Sequence, residues 1–203
     1  MLDFTYENEC RENGFTHICG IDEAGRGPLA GNVVAAAVIM PDGFLPDGLN
    51  DSKKLSPKKR EALYEIITKN TIWAVGEASP SEIDELNILN ATMLAMHRAV
   101  KSLGEKADFA LIDGNCSRGF DIPTRTIVGG DGKSPSVAAA SIIAKVTRDR
   151  ECAELDKKYP EYNFSKHKGY PTKEHMQKVI ELGPCPEHRR SFLSFAGYTN
   201  EKK

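Results

Sequence analysis

Four acidic residues in this chain sit where, taken together, they could do chemistry. Asp22 and Glu23 are adjacent and end the apolar run Ile18-Cys19-Gly20-Ile21. Asp113 ends a second apolar run and is followed at once by Gly114. Asp131 lies in a glycine-rich stretch just before Ser134-Pro135, a helix-start pair. In open α/β sheets, ligands sit beyond the carboxyl ends of strands, so strand-end acids from separate strands can converge there. Converging carboxylates repel and raise one another's pKa values, and a divalent cation relieves that cost. Carboxylate and water ligands, with no His or Cys nearby in sequence, suit Mg²⁺ or Mn²⁺ better than zinc. Two such ions about 4 Å apart activate a water and stabilise the leaving oxygen of a phosphodiester.

Asp113 or Asp131 alone is equally well a turn or cap residue. The Asp22-Glu23 pair is harder to dismiss. Consecutive strand residues point to opposite faces, so for both to serve one site Glu23 must sit where the strand leaves regular geometry. Gly25 and Gly27 allow that. The same glycines do not make a dinucleotide fingerprint. Their spacing misses G-x-G-x-x-G, and Pro28 and a β-branched run follow where that motif needs a helix.

The elements that must position these acids follow in order. Residues 17–23 read as a strand, and residues 33–40 as a second, joined by a tight glycine connection into a hairpin. Ser56-Pro57 starts a helix reaching about Lys69. Residues 71–78 form a third strand, and Ser81 with Asp84 reads as a capping box opening a short helix. Asn87 to Leu103 carries one wide apolar stripe (Ile88, Leu89, Met93, Met96, Ala99, Val100, Leu103) and ends at Gly104. Residues 108–115 and 122–128 supply two more strands. Ser134-Pro135 opens a long helix to about Lys158, whose run of small residues implies close approach to the sheet or to a ligand. Thr172 to Leu182 is a helix, and Gly183-Pro184-Cys185-Pro186 breaks it. The pattern predicts an α/β protein with a mixed sheet, with an all-parallel doubly wound sheet as the alternative. Residues 1–16 form an arm with no site, 17–158 the α/β core, 159–195 a small helical region and 196–203 a frayed tail.

At 203 residues, 40% apolar and 28% charged, the composition is that of one ordinary globular domain. No run of 18 or more apolar residues exists and the N-terminus lacks a secretory pattern. The five cysteines are odd in number and unpaired in spacing, which indicates neither a disulfide framework nor a Cys-x-x-Cys zinc site and implies reduced thiols in the cytoplasm. The net charge of −2 is not that of a nucleic-acid binder, but the distribution is uneven. Lys53, Lys54, Lys58, Lys59 and Arg60 cluster, as do Lys145, Arg148 and Arg150, Lys166 and Lys168, and Arg189 and Arg190. Each cluster is either a solvated helix face or part of one basic surface.

Five stretches, in this order, resemble the bacterial branch of the ribonuclease HII family. They are Asp22-Glu23-Ala24-Gly25-Arg26-Gly27-Pro28, residues 50–55 (Asn50 to Leu55), Ile112-Asp113-Gly114-Asn115, Gly130-Asp131 with the run from Ala138 to Asp149, and residues 167–172 (His167 to Thr172). The likeness runs from about residue 17 to 195. It implies an RNase H-like mixed five-stranded sheet flanked by helices, with a small C-terminal helical region that binds substrate. It implies endonucleolytic cleavage of the RNA strand in RNA–DNA hybrids, and of duplex DNA 5′ to single embedded ribonucleotides, leaving 3′-hydroxyl and 5′-phosphate ends. Removal of misincorporated ribonucleotides and RNA primers would be the role. Asp22, Glu23, Asp113 and Asp131 match the family's catalytic and metal-binding acids, expected to hold two Mn²⁺ or Mg²⁺ ions with substrate bound. Gly25, Arg26 and Gly27 match its motif for the ribose 2′-hydroxyl, and Tyr170 the tyrosine that stacks beside the RNA-to-DNA junction.

The residues agree with that implication. Telling RNA from DNA at one nucleotide requires contact with the 2′-OH, and glycines let backbone amides approach a ribose. A tyrosine ring makes a platform that reads no sequence. Lys53, Lys54, Lys145 and Arg148 are candidate phosphate contacts that set affinity rather than sequence preference. Lys145 and Arg148 share a helix face that Arg150 does not join. His167 is a structural or surface histidine in preference to a proton carrier. Two other readings stand beside this one. A module that binds hybrids without cutting has no use for clustered negative charge facing phosphates. A different metal phosphotransferase leaves Gly25-Arg26-Gly27 and Tyr170 without a purpose. Nothing demands more than a monomer, no membrane contact is expected, and a sliding-clamp partner is left undecided.

Overall fold

The computed structural model describes residues 2–198. In chain order its elements are α1 (Thr5–Glu12), β1 (Ile18–Ala24), β2 (Val33–Ile39), α2 (Pro57–Asn70), β3 (Ile72–Ala78), α3 (Pro80–Leu86), α4 (Ile88–Lys101), β4 (Phe109–Asp113), β5 (Thr124–Ile127), α5 (Pro135–Lys158), α6 (Phe164–His167) and α7 (Lys173–Leu182). Single 3₁₀ turns at Ser52–Lys54 and Gly130–Gly132 flank the site.

The strands form one sheet of order β3-β2-β1-β4-β5. β2 runs antiparallel to β1 and β3, while β4 runs parallel to β1 and β5. This is the mixed five-stranded sheet, and the all-parallel alternative is excluded. The parallel register pairs Ile21 with Ile112. The next residue on each strand is an aspartate, so Asp22 and Asp113 stand side by side on neighbouring strands.

β2 is apolar throughout because both its faces are covered. Cys19, Ile21, Ala35 and Ala37 pack in one layer with Ala95, Met96 and Ala99 of α4. Ala36 and Val38 pack on the other side with Ala139, Ile142 and Ile143 of α5 and with Leu63 and Ile67 of α2. Each such fully buried branched side chain contributes about 1.5–3 kcal/mol. The small residues of α5 let it lie directly on β1. A Cβ at Gly20 would fall 2.1 Å from the backbone carbon of Ser136, so no larger residue fits beneath the helix.

Local signals set most helix ends. Ser56 and Ser134 accept hydrogen bonds from Lys59 N–H and Val137 N–H, each with proline at the first helical position. The capping box of α3 is formed by Ser79 and Glu82, not by Ser81 and Asp84. Pro80 fixes the register, because it takes the first helical position and so makes Ser79 the cap. Asp84 instead accepts from the N–H of Arg190 and of Ser191. α4 begins at the Asn87 cap and closes at Ser102, short of Gly104, and Leu89 of its expected stripe is exposed.

The N-terminal arm has a task that its sequence does not announce. Glu7 is buried, and its Oε1 accepts from the hydroxyls of Ser134 and Ser136 and from Ser136 N–H. An acid at a helix N-terminus also complements the helix dipole. At the other end, Ala196 and Tyr198 pack against the C-terminal cluster around Phe164 and Leu193, so the order extends past residue 195. Residues 199–203 of the expected tail lie outside the described residues.

Candidate active site

β1 keeps regular pairing with β2 through Ala24, one residue beyond Glu23. The break therefore comes later than strict alternation of side chains requires. Gly25 makes it, at φ +95°, a conformation that side-chain-bearing residues rarely adopt. A cleft of about 220 Å³ wraps around this strand end, and both Asp22 and Glu23 line it. The connection to β2 is a loop over residues 25–32 rather than a tight turn.

The other acids reach the same edge. Asp113 ends β4 and lines the cleft. Its Oδ1 accepts from Gly130 N–H at 2.7 Å, which ties the strand end to the turn that carries Asp131. Asp131 is buried, and its Oδ2 lies 3.4 Å from the Lys53 ammonium. Asp22 Oδ1 accepts from Glu23 N–H at 2.7 Å, and Glu23 Oε1 faces the Arg26 guanidinium at 3.3 Å.

Burial pushes the Asp22 carboxyl well above the ordinary range, and the charges of Glu23, Asp113 and Asp131 push it further. Burial also raises Glu23, against the pull of Arg26, and raises Asp131, against the pull of Lys53. The carboxylates thus act on one another, a cost that a bound cation would relieve. Among the described residues, no three His, Cys, Asp or Glu side chains stand ready to hold an ion by themselves. The donor set is all oxygen, and it fits a hard divalent ion that completes its shell with water and substrate phosphate.

The remaining predicted residues divide. Gly25, Arg26, Gly27, Lys53, Lys145 and Tyr170 line the cleft together with Ser52 and Ser141, which sequence reasoning missed. Ser141 of α5 donates to Ser52 at 2.6 Å, fixing the turn that presents Lys53, and Arg60 holds that turn through the carbonyls of Ser52 and Leu55. Tyr170 is 44% exposed, and its ring edge lies 3.5 Å from where a Cβ on Gly27 would be. Lys145 pairs with Asp149 at 2.5 Å. Lys54 pairs with Asp51 and lines a different cleft with Leu49 and Asn50.

Arg148 lines the cleft, yet it is buried and its guanidinium donates to the carbonyls of Ala30 and Lys168. That places it as a brace for backbone more than as a free hand for phosphate. Arg150 pairs with Glu61 and Glu65 away from the site. His167 is buried, with one ring nitrogen on the Tyr162 carbonyl and the other accepting from Gly169 N–H, so it is structural. Arg189 appears in sequence as half of a basic pair, but it is fully buried.

Comparison with known proteins gives the family of the chain. The Ribonuclease HII family matches residues 19–195. A Ribonuclease HII from Shewanella amazonensis is 56% identical over 176 residues, covering 86% of this chain and 85% of that one. The crystal structure of ribonuclease H2 from Pyrococcus horikoshii superposes with a TM-score of 0.75 at 28% identity, covering 93% of this chain and all of that one. RNase HII in its complex with PCNA from Archaeoglobus fulgidus superposes with a TM-score of 0.66 at 29% identity, covering 86% and 94%. With the four acids gathered at one sheet edge and the match spanning nearly the whole fold, the chain belongs to the ribonuclease HII family.

Proposed function

We propose that this chain is an endonuclease that hydrolyses the RNA strand of RNA–DNA hybrids and cuts duplex DNA 5′ to single embedded ribonucleotides. One observation carries the reading. Asp22, Glu23 and Asp113, from two adjacent strands, line the same cleft as Gly25-Arg26-Gly27 and Tyr170, and Gly130 N–H ties the Asp131 turn to Asp113 beside them. A cutting site and a ribose-reading site are thereby adjacent.

The reaction adds water across the phosphodiester. The water oxygen bonds to phosphorus, the P–O3′ bond breaks, and the proton passes to the departing 3′-oxygen. Divalent ions, Mg²⁺ or Mn²⁺, would when bound lower the pKa of the attacking water and offset charge on the leaving oxygen. Asp22, Glu23, Asp113 and Asp131 would hold them. Lys53 neutralises part of the acidic charge beside Asp131 and meets the backbone of the entering strand. Arg26 does the same beside Glu23. Peptide groups of residues 25–27 face the ribose, where a 2′-OH can both donate and accept. Tyr170 supplies a flat surface beside the junction. Ser141, Lys145 and Arg148 of α5 form one wall of the cleft.

The role that follows is removal of misincorporated ribonucleotides and primer RNA, in the reduced cytoplasm that five free cysteines fit. No helix among the described residues is long and apolar enough to cross a membrane. The test is a duplex with one ribonucleotide and a 5′ label, incubated with Mn²⁺ or Mg²⁺. A single cut 5′ to the ribonucleotide, leaving a 3′-OH that a polymerase extends, is the expected result. Equal cutting of the all-DNA duplex would overturn the reading.

A further inference from the structure

The residues expected to read ribose lie on two segments far apart in sequence, and both are held by one dipeptide, His188-Arg189. The Arg189 guanidinium is fully buried and spends all its donors on one loop. Nε donates to Gly31 O at 2.9 Å. Nη1 donates to Pro28 O at 2.8 Å and Arg26 O at 3.1 Å. Nη2 donates to Gly25 O at 2.7 Å and Asn32 O at 3.0 Å. Each of these carbonyls belongs to residues 25–32, the loop that carries Gly25-Arg26-Gly27. The backbone adds to the grip: Arg189 N–H donates to Leu29 O, and Ala30 and His188 form an antiparallel bridge.

His188 reaches the other half. Its Nδ1 accepts from Cys185 N–H at 3.0 Å, so its proton sits on Nε2. That nitrogen lies 3.0 Å from His175 Nε2 and donates to it. The His175 proton is then on Nδ1, which lies 3.0 Å from the Tyr170 carbonyl and donates to it. His167 stacks flat on His175 with centroids 4.3 Å apart, holding the ring in plane. Leu29 N–H donates to Gly169 O and closes the circuit between the two halves.

We propose that His188-Arg189 is the positioning element of ribose recognition, with Arg189 setting the 25–28 backbone and His188, through His175, setting Tyr170 against it. The inference rests on the reading of Gly25-Arg26-Gly27 and Tyr170 given above. Arg189 touches no substrate; it acts by aiming carbonyls and, through them, the peptide N–H groups between. Lysine cannot replace it, because a three-donor ammonium has neither the plane nor the reach of the five-donor fork.

The experiment compares wild type, Arg189→Lys and Arg189→Ala in single-turnover cleavage of a duplex with one ribonucleotide and of its all-DNA counterpart. It is paired with amide hydrogen exchange. Arg189→Lys is expected to lose about a hundredfold in rate on the ribonucleotide substrate, the scale of an ångström-sized misplacement. Amides of residues 25–32 should exchange faster while those of β1 and β4 keep their protection. Guanidinium ion should restore cleavage to Arg189→Ala and not to Arg189→Lys. A wild-type rate and unchanged loop exchange in folded Arg189→Lys would overturn the proposal. Should Arg189→Lys not fold, His175→Phe carries the test, because it keeps the fork and an aromatic ring stacked on His167 while removing the hydrogen bond to the Tyr170 carbonyl. A loss of about five- to tenfold is expected there, the worth of one hydrogen bond, and an unchanged rate overturns the proposal. Equal cleavage of the all-DNA duplex by wild type would instead show that the underlying reading of the loop is wrong.

Discussion

Gly27 and the Tyr170 ring face each other across the mouth of the cleft, with Cε1 of Tyr170 3.5 Å from the Cβ position that Gly27 lacks. A methyl group there would touch the ring without clashing, so the bare backbone at residue 27 matters for a ligand more than for the tyrosine. Tyr170→Ala is expected to lower cleavage at an embedded ribonucleotide by about 5- to 150-fold, the value of one stacking contact of 1–3 kcal/mol. Cleavage of a long hybrid, whose RNA strand offers no RNA-to-DNA junction for the ring to meet, should fall less. A rate series on the two substrates checks both statements.

Asp22 is held against its own chemistry. Burial and its acidic neighbours raise its pKa when the chain is folded. A carboxyl with a raised folded pKa binds its proton more tightly in the native state, so its contribution to stability is complete below its ordinary value of 3.8 and is lost as pH rises through the folded pKa. Asp22→Asn keeps the oxygen that accepts from Glu23 N–H and removes the charge. In metal-free buffer at neutral pH the variant should be more stable than wild type by about 1–2 kcal/mol, the usual size of such a gain at a functional site. It should also be inactive, and Mn²⁺ should stabilise wild type but not the variant. Thermal melts with and without Mn²⁺ decide it.

Glu7 lies far in sequence from every acid of the site yet anchors the start of α5, just after the Asp131 turn. Glu7→Ala leaves the donors of Ser134 and Ser136 short of a buried acceptor, which costs about 1–3 kcal/mol. Urea unfolding should show that loss with an unchanged slope.

His175 and His188 are buried neutral, and burial lowers each to about 4. Their folded pKa values lie below the ordinary 6.5, so the unfolded state binds protons first on acidification. Stability from this pair is full above pH 6.5 and falls as pH drops toward about 4, by about 1.4 kcal/mol per pH unit for each ring at most. The double variant His175→Gln/His188→Gln should be less stable at pH 7.5 and should lose less on moving to pH 5. Urea midpoints at the two pH values test it.

What the sequence made legible was decided by neighbours along the chain. Ser56-Pro57 and Ser134-Pro135 mark helix starts because the cap and its partner lie within one turn. Asp22 and Asp113 could be placed together because each ends an apolar strand. Arg189 and Glu7 were not legible. Arg189 sits beside Arg190, which is exposed, and nothing local distinguishes the two. Its burial is set by carbonyls of residues 25–32, which it meets only after the chain has folded. Glu7 likewise meets its serines only across the finished fold. The shift of the α3 cap from Ser81 to Ser79 shows the same limit at short range, where Pro80 outweighs a plausible Ser-to-Asp spacing.

The central claim is that the acids at the ends of β1 and β4 cut where Gly25-Arg26-Gly27 and Tyr170 find a ribose. Single-turnover cleavage of a duplex containing one ribonucleotide, by wild type and by Asp113→Asn in Mn²⁺, tests it most directly. The account predicts one cut 5′ to the ribonucleotide by wild type, no cut in the all-DNA duplex, and a fall of at least about a thousandfold for a folded Asp113→Asn, the scale lost when charge stabilisation of the transition state is removed. Undiminished cleavage by Asp113→Asn would contradict it.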